Sequence, residues 1–553
     1  GALVQLVAYG VQDVYLTGNP QITFFKVVYR RHTNFACEAI EQSFSGNADF
    51  GKSSVSAIIA RNGDLIHRMY LRAEVSIQTT GDVEAAFVRN LGHAMLNEYE
   101  VQIGGSRIDR QTGDFMNFNQ SLGLDSNKKD AYDKMIGNVP ELTELRRHEG
   151  KTVYQMYIPL NFWFCKNVGL SLPMIALQYH DVRVQFNFRD ADKLVVTNGM
   201  SGTVTAKVEN ANLLTDYVFL DADERKAFAT TTHEFLIEQL QSPDEDPITS
   251  SSKKVRMVFN HPCKYLAWGV KMGKFTEGKK FLAYHPTDMK FVKRRTAELV
   301  YLLSLKLEGV ETDASGAITT VRISSDDSGA YETSGTPSGD IATFLKEIEG
   351  TAMVIAKASE NGDGSFDLPG SFVKDPFASV EFVDESYMES ASLQKIMNTS
   401  WDPSDLKGKF SGNDIVDTLL SYMVSVRMYD NYGVNFDGSA NPVFDGNIQI
   451  NGQDRFSKRD GNYFNYVQPY QHFYSTPSDG MNVYSFALKP LEHQPSGTCN
   501  FSRIDFAQLS LSLTKDASDV VKDQESTSNI IVYTVNYNVL RVMGGMGGVA
   551  YAN

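Results

Sequence analysis

Cysteine is scarce, with four residues in a chain of 553. They stand at positions 37, 165, 263 and 499, with no CxxC pair and no histidine cluster beside them, which excludes a disulfide framework and a zinc site of ordinary spacing. Four buried thiols in a reducing compartment are the expectation that remains. Basic charge is also in deficit. Lys and Arg total 52 against 67 Asp and Glu, a formal charge of -15, so the bulk field repels phosphate backbones and direct nucleic-acid binding is not expected. No apolar run approaches the roughly 18 residues that a membrane-spanning helix needs. The opening GALVQLVAYG lacks the charged region and cleavage site of a signal peptide, and Gln5 stands where a myristoylation signal wants Ser or Thr. Neither a membrane span nor a lipid anchor is expected. The ten histidines are scattered, and His233-Glu234, which opens like a zincin helix, is followed by Ile237 where the second ligand would stand. No metal and no cofactor are expected.

What is present is alternation. Val182, Val184, Phe186 and Phe188 alternate with Arg183, Gln185 and Asn187, and Leu509, Leu511 and Leu513 alternate with Ser510 and Ser512. Val204, Ala206 and Val208 do the same against Thr205 and Lys207. Period two marks strands with one packed and one wet face, and such segments recur between Gly, Pro and Asn turns along most of the chain. Helical patterning is confined to stretches near 128–147, 221–229 and 341–358. The expected class is all-β and mostly antiparallel.

A faint internal duplication refines this. Val101-Gln102-Ile103-Gly104-Gly105, followed by Phe115 and Phe118, resembles Ile448-Gln449-Ile450-Asn451-Gly452, followed by Tyr463, Phe464 and Tyr466. Tyr157–Leu160 precedes a loop and the 182–188 strand, as Ser485–Leu488 precedes a loop and the 508–513 strand. The closing segments Leu213–Leu220 and Ile531–Val542 complete an ordered triplet. Two tandem jelly-roll β-sandwiches follow, with short helices in loop insertions. The expected limits are an arm at 1–24, a first unit at 25–220, a linker helix at 221–232, and a second unit at 233–543 with a large insertion at about 311–405. A Gly-rich tail at 544–553 is read as flexible. Asp221 is expected to pair with Arg225 in the linker. The arm is either a frayed end or an element that orders on assembly.

Most signs of chemistry fail on inspection. Gly46-Asn47-Ala48-Asp49-Phe50-Gly51-Lys52-Ser53 matches the P-loop pattern, but the β-leaning run Val55–Ala60 stands where the phosphate-binding helix must follow, so a hairpin loop is expected instead. Asp326-Asp327 sits in a Gly-Ser loop and reads as solvated. Asn119, Asn398 and Asn500 open N-x-[ST] sequons, and Asn398, in the large insertion, is the best placed of the three for glycosylation.

The run Asp13 to Phe35, DVYLTGNPQITFFKVVYRRHTNF, resembles the opening of major capsid proteins of nucleocytoplasmic large DNA viruses. Further similar blocks are RNGDLI at 61–66, DADERKAFATTTHEFLIEQ at 221–239, FNHPCKYLAW at 259–268, the segment 497–505 and YNVLRVMGGMGGVAY at 537–551. The resemblance implies two jelly rolls per chain and a homotrimer forming a pseudo-hexagonal capsomer. It further implies an icosahedral shell of neighbouring capsomers around an inner membrane and a double-stranded DNA genome, assembled in the host cytoplasm. It makes the arm a contact to neighbouring subunits or minor capsid proteins, and the insertions an outer tower. No catalytic residue is implied. The competing reading is a carbohydrate-binding or carbohydrate-active sandwich, with Tyr463, Phe464, Tyr466, Tyr470, Phe473 and Tyr474 as an aromatic platform.

Overall fold

The computed structural model describes residues 2–21, 32–271 and 441–551, apart from short gaps at 82, 84, 144–145, 198–200 and 523–527, together with three strands between 307 and 332. The first half contributes β1 (Phe35–Ser43), β2 (Val55–Ile58), β3 (Leu65–Gly81), β4 (Leu96–Ile103), β5 (Ser106–Thr112), β6 (Thr152–Pro159), β7 (Val182–Phe188) and β8 (Gly202–Leu220). They form two antiparallel sheets, ordered β1-β8-β3-β6 and β2-β7-β4-β5. The second half contributes β9 (His233–Gln241), β10 (Ser252–Arg256), β11 (Pro262–Lys271), β12 (Val443–Ile450), β13 (Gln453–Asp454), β14 (Met481–Ser485), β15 (Cys499–Asn500), β16 (Ala507–Leu513), β17 (Ser528–Met543) and β18 (Met546–Val549). Its main paths run β9-β17-β11-β14 and β10-β16-β12-β13, the first half's orders repeated strand for strand. In each half most connections cross from one sheet to the other, as a jelly roll requires, while hairpins such as β4–β5 and β12–β13 stay within a sheet. The protein is a double jelly roll.

Alternation decides which residues meet inside. In the first roll Leu71, Ala73, Val75 and Leu213 from one sheet face Tyr99, Val101, Val184 and Phe186 from the other, all fully buried. Phe186 meets Tyr99 at 6.0 Å between ring centroids and Phe44 edge-on at 5.5 Å. Burying each such side chain is worth about 1.5–3 kcal/mol. In the second roll Trp268 packs on Phe464 at 5.1 Å. The duplication extends to the turns. Gly104-Gly105 (φ +57°, +81°) joins β4 to β5, and Asn451-Gly452 (φ +50°, +81°) joins β12 to β13. Two successive left-handed residues give the two-residue hairpin whose twist matches the strands. A Cβ on Gly105 would meet nothing within 4 Å, so Gly105→Ala should cost about 1 kcal/mol of backbone strain alone. The urea midpoint would report it.

Several expectations are corrected. Residues 544–549 are not a flexible tail, because Gly544-Gly545 (φ +61°, +81°) is a third such turn and β18 pairs back on β17 from Leu540–Val549 to Met543–Met546. Tyr179 N donates to Gly545 O at 2.9 Å, fixing this hairpin to the first roll. Arg225 does not pair with Asp221. Asp221 caps the helix Ala222–Thr230 by accepting from Ala222 N, while Arg225, largely exposed itself, reaches the buried Asp64 at 2.9 Å. Of the four thiols only Cys263 is buried, since Cys37 lies on the exposed β1 and Cys165 and Cys499 are half-buried. The P-loop-like segment is a loop, closed by an isolated bridge between Ser45 and Ser56, but β1 and β2 lie in different sheets, so it is no hairpin of paired strands.

The helices Lys129–Met135, Pro140–Thr143 and Ala222–Thr230 fall where helical patterning was read. The helix Gly113–Gly123 and the helical segment from Tyr463 to His472 lie outside the stretches of helical patterning. Both are short and follow the same hairpin of their own roll. The aromatics of the first serve contacts to the other roll and Phe464 of the second packs in its own core, neither of which a pattern of single-sheet burial reveals. The 341–358 stretch and most of the 311–405 insertion lie outside the described residues. Its described part includes an antiparallel sheet of Leu307–Thr312, Ile318–Ser325 and Gly329–Glu332.

Candidate assembly interface

The contact between the rolls grows from the end of β5. Thr112 caps the 113–123 helix, its hydroxyl oxygen accepting from Phe115 N at 3.2 Å. Phe115, Phe118 and Leu122 then share one helix face. That face lies on the outside of the second roll's sheet, against Tyr265, Ala267, Val483, Tyr533 and Val535. Phe115 and Phe118 stand 5.3 and 5.6 Å from Tyr533 between ring centroids. The second roll's β11 and β17 are therefore buried on both faces, one toward their own core and one beneath the first roll.

Polar ties surround this apolar centre. Lys271 Nζ reaches Asp114 Oδ2 of the first roll and Glu245 Oε1 of the second, each at 2.6 Å. Burial alone would lower the Lys271 ammonium, but the two carboxylates outweigh it and raise its pKa. Glu238 on β9 accepts from Lys166 of the first roll at 2.9 Å and from Lys264 of β11. Burial would push the Glu238 carboxyl up, yet the two ammonium groups hold it down at about 2. Asp109 on β5 accepts from Leu240 N at 3.0 Å and from Gln111 Nε2 at 2.8 Å, and Gln239 Nε2 donates to Ile108 O. Burial raises the Asp109 carboxyl to about 6.

These shifts give two pH windows of opposite sign. A raised folded pKa means the native state holds a proton that the unfolded chain releases, so the Asp109 contribution is full below about 3.8 and is lost as pH rises through about 6. Glu238 contributes above about 4.5, and its share is lost as pH falls toward about 2. Asp109→Asn should therefore flatten the stability profile between pH 4 and pH 6, read from denaturant midpoints at each pH.

The same arrangement has an uncovered counterpart at each side. In the second roll the helical segment after the equivalent hairpin carries Tyr470, 87% exposed, and Tyr474, 65% exposed, stands just past its end. In the first roll the outer face of the β1-β8-β3-β6 sheet, which corresponds to the face under Phe115 and Phe118, carries exposed Val153 and Tyr157 and half-buried Tyr70 and Leu214. β1 is exposed at seven of its nine residues, whereas its equivalent β9 is exposed at only two. The 2–20 segment adds two short helices, Ala2–Val7 and Val11–Thr17, whose apolar side chains Leu3, Leu6, Val11 and Leu16 are all exposed.

Other residues singled out in the sequence do not gather into a site. Ala48 is buried, Phe50 packs on Phe87 at 6.1 Å, and Asp49 Oδ1 accepts from Val208 N, so the P-loop-like segment is a structural plug. Strand β2 follows it in place of a phosphate-binding helix. His233 and Glu234 open strand β9, not a zincin helix, and among the described residues no three metal-ligating side chains cluster. Phe464 and Phe473 belong to the packed interior and Tyr463 and Tyr466 are half-buried, which leaves only Tyr470 and Tyr474 of the supposed aromatic platform well exposed. Asn119 is half-buried on the 113–123 helix; Asn500 is exposed, its side chain accepting from Ser502 N; Asn398 and Asp326-Asp327 lie outside the described residues. A polar cleft of about 230 Å³ opens between the rolls beside Arg107, Asp109 and Phe259, smaller than the roughly 300–1,000 Å³ of ordinary small-molecule sites. Among the described helices none is long and apolar enough to cross a membrane.

The charged residues that tie the rolls carry one local signal in the sequence. Lys264 and Lys271 stand within the apolar run PCKYLAWGVK, and a lysine inside a strand that is otherwise buried is a legible sign of a paired charge.

Comparison with known proteins follows the same division. A family described as "Major capsid protein N-terminus" matches residues 23–221, and one described as "Large eukaryotic DNA virus major capsid protein" matches residues 224–548. Capsid protein 1 of Acanthamoeba polyphaga mimivirus is 39% identical, with 100% of each chain covered. The major capsid protein of Phaeocystis pouchetii virus is 38% identical, again over 100% of both chains. In the solved structure entitled "PBCV-1 virus capsid, quasi-atomic model", a chain 29% identical superposes with a TM-score of 0.57, over 96% of this chain and 100% of that one. The Faustovirus major capsid protein, 9% identical, shares the fold with a TM-score of 0.58 over 98% of this chain and 96% of its own. With both rolls matched and the full length aligned at this identity, the chain belongs to the major capsid protein family of large eukaryotic DNA viruses.

Proposed function

We propose that three copies of this chain close a ring of six jelly rolls, a pseudo-hexagonal capsomer that tiles an icosahedral virion shell. The observation that carries this is the roll-to-roll contact with one uncovered copy of each half. Tyr470 and Tyr474 of one subunit would cover the outer sheet face of the next subunit's first roll, as Phe115 and Phe118 cover the second roll within the chain. Such a contact is head-to-tail, and a head-to-tail contact makes a closed ring when its rotation closes. Alternating internal and intersubunit contacts then present six similar lateral edges to neighbouring capsomers.

The units of this brick are the stretches 25–220 and 233–543, joined at 221–232, with the 311–405 insertion as the tower. The exposed apolar helices of the 1–24 arm suit a base-side contact with minor capsid proteins. The net charge of -15 suits a shell separated from its DNA genome by an inner membrane, with no direct nucleic-acid contact. The role is mechanical, without catalysis, and assembly takes place in the host cytoplasm. Native mass spectrometry of the purified full chain tests the reading, with negative-stain images for shape. A trimer seen as a hexagonal particle supports it. A monomer at micromolar concentration that is retained on a glycan column would replace it with the carbohydrate-binding reading.

A further inference from the structure

We propose that Cys263 and Cys499 are the site of an intrachain disulfide, formed when the protein meets a low-molecular-weight disulfide of the glutathione type. The two cysteines are register partners on adjacent antiparallel strands, β11 and β15, with Pro262 opposite Asn500 beside them. Register partners point to the same side of a sheet, and their Cβ atoms lie about 4.5–5.5 Å apart. A disulfide asks for a Cβ separation of about 3.5–4.5 Å and a Cα separation of about 4.4–6.8 Å, which a small shift of a two-residue strand supplies. Both thiols are free, and they differ in access: Cys263 is buried and Cys499 is half-buried.

The local structure says what the bond would hold. β15 is short, and two further contacts anchor its continuation, Phe501 N donating to His261 O at 3.1 Å and His261 N donating to Ser502 Oγ at 2.7 Å. The preceding loop from Leu488 to Thr498 is held mainly by its own turns. A bond from Cys499 to Cys263 would fasten this edge to β11, whose other neighbour is the central strand β17. It would also close a loop running from 264 to 498, which contains the whole large insertion. Cross-links that close long loops restrict the unfolded chain most in the loop-entropy account.

The chemistry proceeds in two exchanges. Cys499, the more accessible thiol, loses its proton, and its sulfur attacks one sulfur of the small disulfide, expelling one small thiol and leaving a mixed disulfide. The Cys263 thiol then loses its proton and attacks the Cys499 sulfur, expelling the second small thiol. Two protein thiols are oxidised and one small disulfide is reduced to two thiols, so electrons and protons balance. Burial raises both cysteines, Cys263 to about 12, so the exchange is slow at neutral pH and accelerates as pH rises.

The test uses the full-length protein incubated with oxidised glutathione at pH 7 and pH 9, quenched with a thiol-blocking reagent, digested without reduction and analysed by mass spectrometry. The expected product is a peptide pair joined through Cys263 and Cys499, lighter by two hydrogens, formed faster at pH 9 and abolished by dithiothreitol. Cys499→Ser, a conservative change at a half-buried position, should eliminate that pair while Cys37, which is exposed, still acquires glutathione. Glutathione on Cys37 with Cys263 and Cys499 both recovered as blocked free thiols would overturn the proposal. So would a Cys499–glutathione adduct that persists at pH 9 without ever yielding the linked pair.

Discussion

Glu238→Ala is expected to destabilise the protein by about 3 kcal/mol, because it strands the buried Lys264 ammonium at the junction of the rolls. The Glu238 side chain is 12% exposed, Lys264 is 2% exposed, and Lys166 approaches it from the first roll at 2.9 Å. Removing the carboxylate leaves Lys264 without its partner where little water reaches it, while Lys166, 39% exposed, can turn to solvent. The gain from the ion triad itself is much smaller than this loss, since desolvating three charges offsets most of their attraction. The double variant Glu238→Leu with Lys264→Met should therefore recover most of the stability lost in Glu238→Ala. The pair Glu234–Arg541, 55% and 53% exposed, supplies the contrast, and Arg541→Ala should cost less than about 1 kcal/mol. Guanidinium unfolding followed by tryptophan fluorescence, with Trp268 reporting the second roll's core, measures all three. A Glu238→Ala midpoint indistinguishable from that of the parent chain would show that the carboxylate does not hold these lysines.

The double substitution Tyr470→Asp with Tyr474→Asp is expected to abolish the trimer at micromolar concentration while leaving each chain folded. Buried aromatic anchors at protein interfaces are worth about 2 kcal/mol or more each, so one loss weakens association roughly 30-fold and two weaken it far more. Burying a new carboxylate in the interface adds to the penalty. The folded chain should be almost unaffected, because both tyrosines point into solvent in the single chain. The reciprocal variant Tyr157→Asp, on the outer sheet face of the first roll, should give the same loss from the other side. Sedimentation velocity reads the association state and circular dichroism the fold. If both variants sediment as the parent does, the subunits meet through other surfaces.

Much of the fold was legible in local pattern. The alternation at 182–188 and 509–513 appears as the rhythm of buried and less buried positions along β7 and β16, because period two is imposed by the backbone of a strand. The matched blocks around Gly104-Gly105 and Asn451-Gly452 mark equivalent turns, because few residues tolerate two left-handed conformations in succession. The P-loop-like segment is ruled out as a phosphate site by the β-leaning run that follows it, which forms β2. The thiols were less legible. Nothing in the residues around Cys37 distinguishes an edge strand facing solvent from a core strand, and only the sheet order does so.

The candidate interface was legible only in part. Phe115, Phe118, Tyr463 and Tyr466 were noticed as aromatic patches after similar hairpins, but which surface each would touch depends on the placement of two rolls against one another. The sequence by itself determined strand periodicity, turn chemistry, the repeated unit and the family, since these depend on neighbours within a few residues or on blocks that can be aligned. The tertiary structure alone decided that Phe115 is covered while Tyr470 is open, that Arg225 serves Asp64, that Lys271 bridges the two rolls, and that Cys263 faces Cys499. The physical reason is common to all four: burial, ion pairing and cross-strand register are properties of residues brought together from distant parts of the chain, and their strength is set by the water that the assembled sheets exclude.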